Sequence, residues 1–244
     1  MMQWVKSFIF NVQMYLAMAV IAVVFLPFAL LSRRWALLAC HTFCNWTIWT
    51  AGWMIGLKTE VRGEPPTGEV LIAAKHQSFF DIIVIFSAVP RPKFIMKKIL
   101  LFSPILGQYA WRIGCIPVNR GKRGKAISQM VEGVKQGRDW PGQLIIYPQG
   151  TRVAPGAKRP YKVGPSILYS ELEQPCVPVS TNIGVFWPKR GVVRQPGTAI
   201  VEFHPAIEPG MPKDEFMKKI EAQIETTSNA LMAEAGFNVE TDDA

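Results

Sequence analysis

Acidic side chains are missing from the start of this 244-residue chain: none occurs before Glu60. They are almost missing again across residues 82–170, where two acids face fifteen basic residues, a net +13. Residues 1–81 carry +2 and residues 171–244 carry −6, so the overall +9 is concentrated in the middle third. A basic stretch this poor in acids excludes cationic partners and favours anions: nucleic acid, phosphorylated small molecules or anionic lipid headgroups. An ordinary solvated basic face is the plainer reading, but it accounts poorly for acids being scarce over so long a run. Cysteine is sparse too. Cys40, Cys44, Cys115 and Cys176 match no zinc spacing, and two lie in apolar sequence, which points to a reduced compartment. Internal repeats and low-complexity tracts are absent, which excludes solenoid, propeller and fibrous designs.

Apolar residues are plentiful, and their excess lies near the N-terminus. Phe8 to Leu31 is just long enough to span, since about 20 apolar residues cross a bilayer. Asn11 and Gln13 weaken its first turns, and Arg33 and Arg34 follow it. A second apolar stretch, Trp35 to Leu57, carries Trp46, Trp49 and Trp53 at helical spacing, and tryptophan favours the membrane–water interface. No small-residue cleavage site closes the first run, so a cleaved signal is not expected. Two full spans would put the arginine turn outside, against the positive-inside tendency. Residues 1–57 are therefore expected to be a helical pair dipping into one leaflet, its arginines near headgroups. One true span, or two buried core helices, are the alternatives.

Lys75-His76-Gln77-Ser78-Phe79-Phe80-Asp81 separates two apolar runs, Val70 to Ala74 and Ile82 to Phe86, which read as a buried strand and a helix. Two readings fit this turn. His76 suits proton transfer near neutral pH, and a carboxylate on its far nitrogen would fix the tautomer. Ser78 to Asp81 equally fits a capping box, with Ser78 at the N-cap and Asp81 at N3. His41 and His204 are structural candidates, one in the apolar pair and the other before Pro205.

Further strands are expected at Thr59–Arg62, Lys93–Met96, Cys115–Val118, Gln143–Tyr147, Val177–Thr181 and Ala199–Phe203. Helices are expected around Asp81–Ala88, Leu101–Gly107, Lys125–Val134, Val163–Glu173 and Pro212–Ala235, the last capped by Gly236. Strands alternating with helices predict an α/β layered domain over 58–244, with a largely parallel mixed sheet flanked by helices. Three apolar runs end in polar clusters: His76 to Asp81, Asn119 to Lys122, and Gln149 to Arg152. Ligands of such sheets collect beyond the carboxyl ends of the strands, so the clusters are expected to share a cleft. Arg120 and Arg152 can hold a phosphate there by paired hydrogen bonds.

In this order the clusters resemble the glycerolipid acyltransferases of the 1-acylglycerol-3-phosphate acyltransferase type. His76 to Asp81 looks like that family's H-x4-D motif. Gly114 to Arg120 resembles its second motif, Tyr147-Pro148-Gln149-Gly150-Thr151-Arg152 its third (usually F-P-E-G-T-R), and Val177-Pro178-Val179 its fourth. Lys97-Lys98-Ile99-Leu100, with Pro104 and Gly107, is similar to its K-K-E-L…P…G segment, and the N-terminal pair resembles its anchor. Gln149 and Ile99 each stand where an acid is usual.

The resemblance implies direct acyl transfer from acyl-CoA or acyl-carrier protein to the sn-2 hydroxyl of lysophosphatidate. His76 would be the base and Asp81 its orienter. Lys97, Arg120, Gln149, Gly150, Thr151 and Arg152 would bind substrate. No metal, cofactor or cysteine nucleophile is required, and no nucleic acid is an expected partner. The implied place is a membrane, with the catalytic domain on the cytoplasmic face as at a bacterial inner membrane. Two alternatives stand beside it. One is another lyso-lipid acceptor such as lyso-ornithine lipid, suggested by Gln149. The other is a membrane-tethered basic protein that binds lipid or nucleic acid without chemistry.

Overall fold

Five consecutive apolar residues demand burial on both faces, and Val70–Ala74 obtains it. In the computed structural model, which describes residues 1–103, 105–119, 123–136 and 140–238, these residues form β2 and all five are buried. Strand β2 lies between two parallel neighbours, β5 (Gln143–Ile146) and β6 (Cys176–Thr181). Outside β5 come β3 (Pro92–Lys97) and then β4 (Ile116–Val118), both parallel to it. Outside β6 come β7 (Gly197–Phe203) and then β1 (Leu57–Arg62). The sheet order is β1-β7-β6-β2-β5-β3-β4, and among the pairings of these described strands only β6–β7 is antiparallel. This is the α/β mixed sheet that the sequence predicts.

Side chains alternate across β2 as a pleated strand requires. Ile72 and Ala74 join one apolar core with α3 (Phe80–Ala88) and the N-terminal helices. Leu71 and Ala73 join a second core with α6 (Gly164–Leu172) and α8 (Lys213–Glu234). The same alternation continues past the strand end and sends residues 75 and 76 to opposite sides.

Two local expectations change. The helix expected around Leu101–Gly107 is a 3-10 turn, Lys98–Phe102, followed by α4 (Leu106–Arg112). Ser103, which precedes Pro104, is extended at φ −68, ψ 125, as a residue before proline tends to be. A single helical turn, α7 (Ile183–Phe186), had no sequence signal. Helix α5 (Arg123–Gln136) follows β4 as expected.

The N-terminal pair consists of α1 (Met2–Leu31) and α2 (Arg33–Ile55). Ser32, extended at ψ 136, turns the chain, and its hydroxyl accepts from Arg34 N. By length and composition α1 can cross a membrane: its most apolar window has mean hydropathy 2.6, and 17% of that window is buried by the protein. Trp46, Trp49 and Trp53 form one exposed ladder, with ring centroids 5.3 and 5.8 Å apart. The polar residues of the first turns dock α1 on the sheet domain. Gln3 Nε2 donates to Arg194 O at 2.7 Å, Asn11 Nδ2 to Val192 O at 3.0 Å, and Arg194 N to Ser7 Oγ at 2.9 Å. Gln13 instead ties the pair together, donating to Thr50 Oγ1 and accepting from Trp46 Nε1.

Candidate active site

Four parallel neighbours, β2, β5, β3 and β4, end on one edge of the sheet. Their exits are His76, Tyr147, Lys97 and Asn119 in that spatial order. This edge is where an open parallel sheet leaves room for a ligand.

At the β2 exit Asp81 uses its oxygens separately, and the N-cap of α3 is Phe79 rather than the expected Ser78. One oxygen accepts Gln77 N at 2.7 Å and Ser78 N at 2.8 Å; the other lies 3.0 Å from His76 Nδ1. Ser78 Oγ accepts from Phe80 N, which completes a cap-like turn although the helix itself begins at Phe80. Asp81 is 0% exposed, yet three donors and the positive end of α3 surround its charge. A carboxylate only accepts, so Nδ1 carries the proton and Nε2 is left as the basic nitrogen. The His76 side chain is 14% exposed, and among the described residues nothing bonds its Nε2.

At the β5 exit, the Tyr147 ring stacks on the His76 ring at 3.9 Å and 18°. The Tyr147 hydroxyl is buried with no hydrogen-bond partner among the described residues, and burial, with Asp81 nearby, pushes its pKa well up. Gly150 N donates to Tyr147 O at 2.8 Å, closing a turn with Pro148 at its second position. Gly150 sits at φ 69, and a Cβ there would meet Lys162 Nζ at 2.7 Å, so glycine fits best. Val153 N then donates to His76 O at 2.8 Å and locks the third motif against the first. The Gly150 and Val153 amides are thus committed, and the N–H groups of Thr151 and Arg152 between them have no partner among the described residues.

The remaining expected site residues have different surroundings. Lys97 is exposed at the end of β3, paired in register with Val118. Arg152 is half-buried and braced against a neighbouring loop: its guanidinium donates to Lys189 O at 3.4 Å, and Lys189 Nζ donates to Arg152 O at 3.0 Å. Arg120 lies outside the described residues. Gln149, expected to bind substrate, is 2% exposed and turned toward α8; its amide lies 3.4 Å from both Arg159 O and Glu225 Oε1. The reason is the tight turn, which leaves its side chain on the α8 side.

Sequence reasoning missed the group that meets Gln149. Lys75 is 3% exposed, and its ammonium reaches both oxygens of Glu225 on α8, at 2.6 and 2.5 Å. Tyr161 Oη also donates to Glu225, at 2.8 Å. The alternation of β2 foretells the side that Lys75 takes; nothing in the sequence singles out Glu225 among the acids of α8. His204 pairs with the buried Ser180 hydroxyl at 2.8 Å. Cys115 accepts from Phe94 N, and burial pushes its thiol up to about 11, unlike a nucleophile.

The acyltransferase family model matches residues 58–182. The 1-acyl-sn-glycerol-3-phosphate acyltransferase of Pseudomonas aeruginosa is 28% identical over 173 residues, 68% of this chain and 66% of that protein. The alpha form of Mus musculus is 31% identical over 133 residues, 53% of this chain and 47% of that protein. The 1-acyl-sn-glycerol-3-phosphate acyltransferase of Escherichia coli is 29% identical over 135 residues, 53% of this chain and 54% of that protein. The chain thus spans about half to just under two thirds of the length of these curated relatives. The crystal structure of the 1-acyl-sn-glycerophosphate (LPA) acyltransferase PlsC from Thermotoga maritima has the same fold, with a TM-score of 0.79 over 95% of this chain and 98% of that one at 21% identity. The family match runs from β1 past the end of β6 and encloses both the His76–Asp81 pair and the turn that carries Arg152, so the chain belongs to the acyltransferase family.

Proposed function

We propose that the chain transfers a fatty acyl group from acyl-CoA or acyl-carrier protein to the sn-2 hydroxyl of 1-acylglycerol 3-phosphate, giving phosphatidate. The observation that carries this reading is the His76–Asp81 pair, with Nδ1 committed at 3.0 Å and Nε2 available at the ligand edge of the sheet. His76 Nε2 takes the hydroxyl proton as the oxygen attacks the thioester carbonyl and the new C–O bond forms. Asp81 stabilises the resulting imidazolium. When the C–S bond breaks, the imidazolium returns the proton to the leaving thiolate. The amides of Thr151 and Arg152 are the oxyanion donors in this scheme. Arg152, Lys97 and Arg120 bind the acceptor's phosphate. Residues 1–57 hold the domain on one leaflet of a membrane, where the acceptor resides, with its tryptophan ladder at the interface.

Because Gln149 faces α8, its lack of charge gives no ground for a different acceptor. A donor-by-acceptor matrix on the purified chain tests the reading. Thiol release from acyl-CoA or acyl-carrier protein should require a lyso-lipid and be fastest with lysophosphatidate. Faster release with another lyso-lipid would replace the acceptor. Salt-dependent binding without thiol release would replace the enzyme with a binder.

A further inference from the structure

Lys75 and His76 are consecutive residues that leave β2 on opposite sides. His76 lies against Asp81 and the Tyr147 ring; Lys75 faces α8, where Glu225 holds its ammonium through both oxygens. The same carboxylate takes the Tyr161 hydroxyl at 2.8 Å and lies 3.4 Å from the Gln149 amide. Tyr161 precedes Lys162, whose backbone N donates to Pro148 O at 3.0 Å. One carboxylate on a distant helix thus gathers the residue beside the base and two segments of the turn that stacks Tyr147 on it. The Lys75 side is closed to solvent, whereas Glu225 keeps 30% exposure.

We infer that Glu225 is a positioning residue for acyl transfer: it fixes the His76 turn and the Gln149–Gly150 turn relative to each other by holding Lys75, Gln149 and Tyr161 at once. The inference rests on the acyl-transfer reading above. Glu225 holds the Lys75 ammonium, and the Gln149 side chain ends 3.4 Å from that carboxylate, so an acid at position 149 would enter the same cluster. In this chain the third motif carries an amide at that position, and α8 brings the acid.

Steady-state kinetics and melting temperatures of three variants test this. E225Q should lower kcat by about ten- to a hundredfold, the scale of a small misplacement at a reacting centre, with little change in KM for either substrate. Q149E/E225Q returns a carboxylate to Lys75 from the other element and should recover most of the lost kcat. K75M/E225L replaces the ion pair with apolar side chains, which keeps the fold even if E225Q destabilises it. It should melt at or above the wild-type temperature and still show the low kcat. Wild-type kcat in E225Q or in K75M/E225L overturns the inference, as does a double variant Q149E/E225Q that folds but is no faster than E225Q. The two levels fail differently: a wild-type chain that transfers no acyl group removes the reaction, whereas a wild-type chain and an E225Q variant of equal rate remove only the positioning role.

Discussion

Replacing Asp81 by Asn tests the geometry of the base with almost no change in shape. The native carboxylate receives three donors: Gln77 N, Ser78 N and His76 Nδ1. An amide has one oxygen, and the two backbone donors, at 2.7 and 2.8 Å, hold it where Oδ2 now sits. The NH2 group must then face His76 Nδ1, which can only accept from it. The proton moves to Nε2, and the nitrogen that should take the substrate proton becomes a donor. The expected loss is about 10³–10⁴ in kcat, the scale seen when an orienting carboxylate becomes an amide and the wrong tautomer results. KM should change little, since the acid touches no substrate. Stability should fall by about 1.5–3 kcal/mol as charge-assisted hydrogen bonds weaken, softened because a buried charge has gone. The assays are thiol release and ¹⁵N NMR of the imidazole. A D81N variant with near wild-type turnover, or one that loses activity while Nδ1 stays protonated, would refute this reasoning.

Three further outcomes follow from single contacts. Y147F deletes a buried hydroxyl that has no partner among the described residues and keeps the ring stack, so chemical denaturation should show stability raised by about 1 kcal/mol, with kcat close to wild type. G150A forces an L side chain to φ 69 and should cost about 1–2 kcal/mol by the same measurement, with activity reduced because the turn frames His76. His204 is held neutral in the native state, its pKa lowered from 6.5 by burial against the smaller opposing pull of Glu202. The unfolded chain therefore binds the extra proton first. The stability that His204 contributes is complete above pH 6.5 and declines below it, and the difference between wild type and H204Q, which keeps a partner for Ser180, should shrink over that range.

The sequence made the strands and the base legible because those signals are local. Val70 to Ala74 is apolar on both faces and must be buried; His76 and Asp81 flank a strand-to-helix turn that brings side chains five apart together. Asn11 read as a flaw in a membrane helix, and the structure shows why it is there: with Gln3 and Ser7 it docks α1 on the 192–194 loop. Gln149 illustrates the opposite case. Its place in a motif suggested substrate, but the side it faces is set by the turn through Pro148 and by the packing of α8. Glu225 was beyond reach, since its partner is 150 residues away and α8 is dotted with exposed acids.

The most direct test of the central claim is thiol release coupled to phosphatidate formation, measured for wild type and for H76A at matched folded concentration. Wild type should form one phosphatidate per thiol released. H76A, with an unchanged melting profile, should be slower by about 10²–10⁴. Turnover in H76A close to wild type would contradict the assignment of His76 as the base.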